Sequence, residues 1–263
     1  MDIRRYNAAA WDNQVRRRSP WTIPVTRRVI AAARRGEFAI KLTSHRTVPA
    51  AWFPPLAGAR VLLLGGGGGQ QGPVLAAVGA QVTVLDNSPA QLAQDRQVAA
   101  REGLDLVLVE GDMADLGAFA SGGFDLVFNP CSTCFVPDLA PVWAEAFRVL
   151  RPDGVFLSGH MNPAYYLFDF DKSERGELEV RYTLPYADIS SLPPDQRRRF
   201  EAEGTPYEFS HTLDALIGGQ TAAGFAITGF YEDVFPPATD DTASRYMGTL
   251  FALRAVKPAR PLP

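Results

Sequence analysis

The chain has 263 residues, of which 46% are hydrophobic and 11% aromatic, enough to bury a sizeable core and to exclude disorder as the default state. Its formal charge of −3 excludes the strongly basic footprint usual for nucleic-acid binders. Two cysteines, Cys131 and Cys134, supply no disulfide framework, no apolar run approaches membrane-helix length, and the basic N-terminus is not followed by an apolar stretch, so a cytoplasmic protein is expected.

Residues 1–59 read as a helical N-terminal cap ending in the loop Val48 to Pro55. Arg60–Leu64 is then a short, continuous apolar run, the pattern of a parallel strand buried on both faces, and five glycines, Gly65–Gly69, stop it. A helix follows from Gly72 with Pro73 in its first turn and Gly79 behind it. Val82–Leu85 is a second strand ending at Asp86. Ser88 and Pro89 are N-cap and first residue of a longer helix reaching Gly103. Leu106–Val109 and Phe124–Phe128 are strands three and four, leading into Gly111-Asp112-Met113 and Asn129-Pro130. A helix over 141–150, the turn Arg151-Pro152-Asp153-Gly154 and a fifth strand, Val155–Ser158, complete the rhythm.

Strand and helix alternating in this way predict a doubly wound, Rossmann-like parallel sheet with right-handed crossovers, here over 60–159. Residues 160–211 break the alternation with tyrosines, prolines and charges and are expected to form an insertion or acceptor lid in the same domain. Residues 212–263 should return with a helix at 212–223 and strands at 225–234 and 246–256. Their short helix-free connection makes that pair antiparallel, for seven strands in all.

In such sheets ligands lie beyond the carboxyl ends of the strands, so the residues directly after each strand carry the functional question. Glycines after strand one let a ligand approach bare backbone. Asp86 stands where a carboxylate takes up ribose hydroxyls, and Asp112 where one can accept from an adenine amine. Gly67-Gly68-Gly69-Gln70-Gln71-Gly72 also satisfies the G-x-G-x-x-G pattern of nicotinamide binding, so these residues alone leave two nucleotide cofactors open.

The ordered run VLLLGGGGG, VTVLDNSPAQL, EGDMADL, FDLVFNP and FRVLRPDG, across about residues 60–160, resembles the class I S-adenosylmethionine-dependent methyltransferases, and in particular bacterial domains of the small-molecule type. The resemblance implies S-adenosyl-L-methionine as cofactor and S-adenosyl-L-homocysteine as product. Gly65, Gly67, Gly69 and Gln70 would hold its methionine part. Asp86, with Asn87 beside it, would bind the ribose, Asp112 and Met113 the adenine, and Asn129-Pro130 would stand at the methyl-transfer position, with Gln91 a further cofactor-binding residue. Tyr6 and Trp11 look like the family's cofactor-covering N-terminal segment. One departure stands out: Leu63 occupies the place where the family often has an acidic residue.

The expected partner is a small-molecule methyl acceptor, with neither membrane nor nucleic acid. Asn129-Pro130-Cys131-Ser132 matches only half of the Asn-Pro-Pro-aromatic motif of DNA and protein-amide methyltransferases. His160, after strand five, and His211, at the start of the helix that follows the insertion, are the candidate general bases. The lone Cys131-x-x-Cys134 pair is half a zinc site, so no metal is expected. Two readings remain beside the methyltransferase: a nicotinamide-dependent oxidoreductase, and a non-catalytic module of methyltransferase fold.

Overall fold

The computed structural model describes residues 1–260. Helix α1 (Ile3–Arg16) starts on Asp2, whose carboxylate accepts from the Arg5 amide, and α2 (Arg27–Ala33) follows. The sheet begins with β1 (Arg60–Leu64), then α3 (Gln71–Ala77), β2 (Gln81–Asp86), α4 (Pro89–Glu102), β3 (Leu106–Glu110), β4 (Phe124–Asn129), α5 (Ala140–Val149) and β5 (Leu150–Met161). Three shorter or polar helices follow, α6 (Phe170–Ser173), α7 (Asp188–Ser191) and α8 (Pro194–Glu203). A π-helical turn, Asp214–Gly218, runs into α9 (Gly219–Ala222), and β6 (Ala226–Asp233) and β7 (Leu250–Val256) end the chain.

The seven strands lie in the order β3-β2-β1-β4-β5-β7-β6. β1 pairs in parallel with both β2 and β4, and β7 is antiparallel to both β5 and β6. The strand order reverses beside β1, so the crevice for a ligand opens between the carboxyl ends of β1 and β4. Val61 and Leu63 point into the core on one face of the sheet, Leu62 and Leu64 into the core on the other. All four are fully buried, which explains the continuous rather than alternating run. Each contributes about 1.5–3 kcal/mol by leaving water. The expected caps of α4 form: the Ser88 hydroxyl accepts from the Gln91 amide, and Gly103 closes the helix in the left-handed region.

Four boundaries differ from expectation. β5 begins at Leu150, paired with Phe124, so the expected turn Arg151–Gly154 lies within the strand, at an irregularity of its pairing with β4. β5 continues to Met161 because β7 pairs with it along its whole second half, His160 opposite Phe251 and Met161 opposite Leu250, so the insertion begins at 162. β7 starts at Leu250 and not at 246, since Ala243–Arg245 form a short 3₁₀ turn. The helix expected at 212–223 is split into a π turn and an α turn. Segment 162–211 carries its own core of Tyr166, Tyr182, Tyr186 and Leu192, which packs on Cys134, Met161 and Leu250 at the ligand edge of the sheet.

Candidate functional site

A cavity of about 560 Å³ opens at the carboxyl ends of β1, β2 and β4. Its floor is Gly65–Gly67 with Asp86, Asn87 and Gln91; Gly111, Asp112 and Met113 form one side. Trp11, Trp21, Ile23, Val25 and Val29 cover it from the N-terminal segment, with Ile40–Ser44 beside them. Pro130–Ser132, Cys134 and Phe135 form the wall after β4, and Met161, Tyr165, Glu208, Phe235 and Leu250 close the far end.

The floor is built by hydrogen bonds to buried carboxylates. The Gly67 amide donates to Asp86 Oδ2 at 2.9 Å and the Ser88 amide to Asp86 Oδ1 at 2.9 Å. The Gly69 amide donates to Asp95 Oδ2 at 3.1 Å. Burial pushes Asp86 up to about 6 and Asp95 up to about 7, against the pull of these amides, which favour the charged form. Leu63 fills the place of the family's acidic residue and packs beneath Gly66, where a Cβ would meet the Leu63 Cβ at 2.9 Å. Here the loop is tied from β2 and α4 instead of from β1.

Two glycines have physical reasons to be glycine. Gly65 lies at φ +57°, and a Cβ there would meet Ser132 Oγ at 2.7 Å and Met113 Cε at 2.9 Å. At Gly67 a Cβ would meet Gln91 Cβ at 2.7 Å and Asp86 Oδ2 at 2.8 Å. Behind this loop the Asn129 amide nitrogen donates to the Leu64 carbonyl and to Ser132 Oγ, both at 2.8 Å.

Of the residues singled out in the sequence, Trp11, Gly65, Gly67, Gln70, Asp86, Asn87, Gln91, Asp112, Met113 and Pro130 share the cavity wall. Tyr6, Gly69, Asn129, His160 and His211 do not. Tyr6 stacks on Tyr207 at 4.6 Å and donates to the Thr205 carbonyl at 3.0 Å, pinning α1 to the 162–211 segment. Gly69 is turned toward α4, where a Cβ would meet the Gln94 carbonyl at 2.9 Å. Asn129 is fully buried beneath the loop. Gln70 reaches the wall but spends its amide on the carbonyls of Pro20 and Ile23.

Both histidines are tied into structure. His160 is fully buried between Thr133 Oγ1, 3.1 Å from Nδ1, and Ser158 Oγ, 2.9 Å from Nε2, with Trp143 and Phe251 against its ring. Burial drives it down to about 3, so it is neutral at any working pH. His211 Nε2 lies 3.1 Å from the Thr133 carbonyl, and burial lowers it as well.

Cys131, Cys134, Tyr165, Glu208 and Phe235 face the far end of the cavity: Tyr165 is among the tyrosines that the sequence offers as pocket walls and the cysteine pair is read there only as half a zinc site, while Glu208 and Phe235 are missed in the sequence. Cys134 is held protonated by its hydrogen bond to Cys131 and by burial. Glu208 is pushed up to about 7 by burial and by the charge of Asp188. The only signal for it in the sequence is a single carboxylate inside the otherwise apolar Pro206-Tyr207-Glu208-Phe209. Among the described residues no group of His, Cys, Asp and Glu is placed to hold a metal ion, and no helix is long and apolar enough to cross a membrane.

A bare glycine loop, a carboxylate at the end of β2 and a second one after β3, all facing one cavity at the switch point of the sheet, define a nucleotide-cofactor site of the Rossmann-like class. Residues 62–158 match the family model of a methyltransferase domain. An uncharacterized methyltransferase of Bacillus subtilis, YbaJ, is 44% identical over 252 residues, 96% of this chain and 97% of that one. In fold, the chain is similar to an S-adenosylmethionine-dependent methyltransferase from Mesorhizobium loti, with TM-score 0.61 at 20% identity, over 78% of this chain and 94% of that one. A second such enzyme, from Methanosarcina mazei, superposes with TM-score 0.58 at 19% identity, over 80% and 96% of the two chains. The chain belongs to the class I S-adenosylmethionine-dependent methyltransferases.

The residues present fit that cofactor. Gln91 Oε1 is a buried acceptor of a cavity-lining residue with no donor among the described residues. The loop offers backbone that any larger residue at Gly65 or Gly67 would cover.

Proposed function

We propose that the protein transfers the methyl group of S-adenosylmethionine to a small, largely apolar acceptor bound at the far end of this cavity. The observation carrying the proposal is that one continuous cavity runs from the glycine loop and Asp86 to Tyr165, Glu208, Phe235 and Leu250. Its size is that of a small-molecule site. The net charge of −3 favours a non-nucleic-acid acceptor as well.

The cofactor supplies an activated methyl group on a sulfonium whose leaving group needs no assistance. The protein's part is therefore to bind, align and keep water out. Gly65 and Gly67 present backbone to the methionine portion, Asp86 accepts from the ribose hydroxyls, and Asp112 and Met113 hold the adenine. Asp112 is steadied by the Ala114 amide at 2.9 Å. Trp11 and the indole of Trp21 cover the cofactor, and Asn129 acts through Ser132 by holding the wall after β4 in place.

Calorimetric titration with S-adenosylmethionine, S-adenosylhomocysteine and NADH, side by side, tests the reading. Micromolar binding of the first two is expected, weakened about tenfold or more in Asp86→Ala, as for a lost hydrogen bond to a charged group. Preference for NADH, or no binding of either sulfur compound, overturns it.

A further inference from the structure

The acceptor end of the cavity holds one carboxylate, Glu208, in otherwise apolar and weakly polar surroundings. Its Oε2 accepts from the Tyr166 hydroxyl at 2.5 Å, while Oε1 takes no hydrogen bond from the described residues. The backbone around it is fastened on both sides: the Glu208 amide donates to Asp188 Oδ2 at 2.7 Å, and the Asp188 amide donates to the Glu208 carbonyl at 3.0 Å. One residue on, the Phe209 amide donates to the Cys134 carbonyl at 2.7 Å. Cys134 belongs to the same post-β4 wall as Ser132, which closes over Gly65. A rigid path thus connects the glycine loop to the carboxylate.

From this geometry we infer that Glu208 is the general base for an acceptor carrying an aromatic hydroxyl, a phenol, with Tyr166 as the residue that positions it. This rests on the proposed methyltransferase reading and names its acceptor class.

The groups facing Glu208 support the role. Met161, Phe235, Leu250 and the Tyr165 ring make flat, apolar surroundings suited to an aromatic ring. Tyr166 and Tyr165 are held protonated by burial, and Cys134 by its hydrogen bond to Cys131 and by burial, so none of them competes as a base at neutral pH. Asp188, pushed up to about 6 by burial, lies behind Glu208 and adds negative charge. The free carboxylate oxygen takes the hydroxyl proton. The phenolic oxygen uses the freed electron pair to bond the methyl carbon as the carbon–sulfur bond breaks, and that bond's pair returns to sulfur. The products are an aryl methyl ether, S-adenosylhomocysteine and protonated Glu208, which returns its proton to water. A carboxylate is the base that a neutral hydroxyl needs; a thiolate or free amine as acceptor would need none.

The probe is 2-naphthol, whose neutral and ionised forms emit at different wavelengths and which becomes strongly acidic on excitation. Bound to the protein loaded with S-adenosylhomocysteine, it should show ionised emission that rises with pH through about 7, because only ionised Glu208 can take its proton. In Glu208→Gln the probe should still bind, within about threefold, but emit from its neutral form. Methylation of phenols should fall by about 10²- to 10⁴-fold in the same variant. Should Glu208→Gln not fold, Glu208→Asp, which withdraws the carboxylate by one methylene, should cut the ionised emission. Neutral emission from the wild type, ionised emission unchanged in the variant, or no binding of 2-naphthol to the loaded protein would each overturn the assignment while leaving the cofactor reading standing. Failure of S-adenosylhomocysteine itself to bind overturns both.

Discussion

Replacing Asp95 by Asn isolates what it costs to hold the glycine loop from a buried carboxylate. Asp95 is fully buried on α4, its Oδ2 accepts from the Gly69 amide, and its Oδ1 has no partner among the described residues. Burial raises it from 3.8 to about 7. That shift of about 3 pH units corresponds to about 4 kcal/mol. The sign follows from proton counting. Between 3.8 and about 7 the folded protein keeps a proton that the unfolded chain has released, so stability from this group is full at low pH and declines as pH rises through about 7. An Asn side chain still accepts from the Gly69 amide but cannot ionise. Its second polar atom stays buried and unpaired, a pH-independent penalty of about 1–3 kcal/mol. The offset between the two proteins is therefore uninformative, and the slope carries the test. Urea unfolding followed by tryptophan fluorescence at pH 5, 6, 7 and 8 should show Asp95→Asn gaining on the wild type by a few kcal/mol as pH rises. Asp86 and Glu208 titrate in both proteins and largely cancel in the difference. Parallel pH dependences would refute the view of Asp95 as a carboxyl kept neutral by burial.

Other consequences can be checked on the same protein. Gly67→Ala places a Cβ 2.8 Å from Asp86 Oδ2, so S-adenosylhomocysteine affinity should fall more than about tenfold by calorimetry while the circular dichroism stays that of the wild type. Because Asp86 takes up a proton near 6, and ribose hydroxyls need the ionised form, affinity should decline below that pH in wild type; a flat profile from pH 5 to 8 would exclude the contact. His160→Gln should leave the pH profile of methyl transfer unchanged yet lower stability by about 1–3 kcal/mol, since Thr133 and Ser158 lose their partner. Tyr6→Ala should cost about 1 kcal/mol or more of stability through the lost stack on Tyr207, with cofactor affinity unchanged.

Much of the cofactor half was readable because its signals are local. β1 to β4 are fully or partly buried parallel strands whose apolar runs need no knowledge of their neighbours, and each is followed directly by residues that line the cavity. Gly65, Gly67, Asp86 and Asp112 could therefore be placed on one edge from order alone. The far end of the cavity had no such link. Glu208 lies 122 positions along the chain from Asp86, within a segment that lacks periodicity, and only packing brings both to one cavity.

Where the sequence misplaced a residue, the missing information was which face of an element looks inward. Tyr6 and Trp11 share α1 but are separated by five residues, about 140° around a helix, so a helix that turns Trp11 to the cavity turns Tyr6 to the 162–211 segment. Strand β5 alternates in the same way: Met161 faces the cavity, so His160, its neighbour, faces the buried side with Ser158 and Gln220. The chain order of strands, the glycine loop and its carboxylate were determined by sequence, because backbone conformation and strand burial are set by nearby residues. The facing of α1 and β5, the insertion of β7 between β5 and β6, and the arrival of Glu208 at the far end of the cavity were decided by the tertiary structure, because each depends on which distant surface an element is packed against.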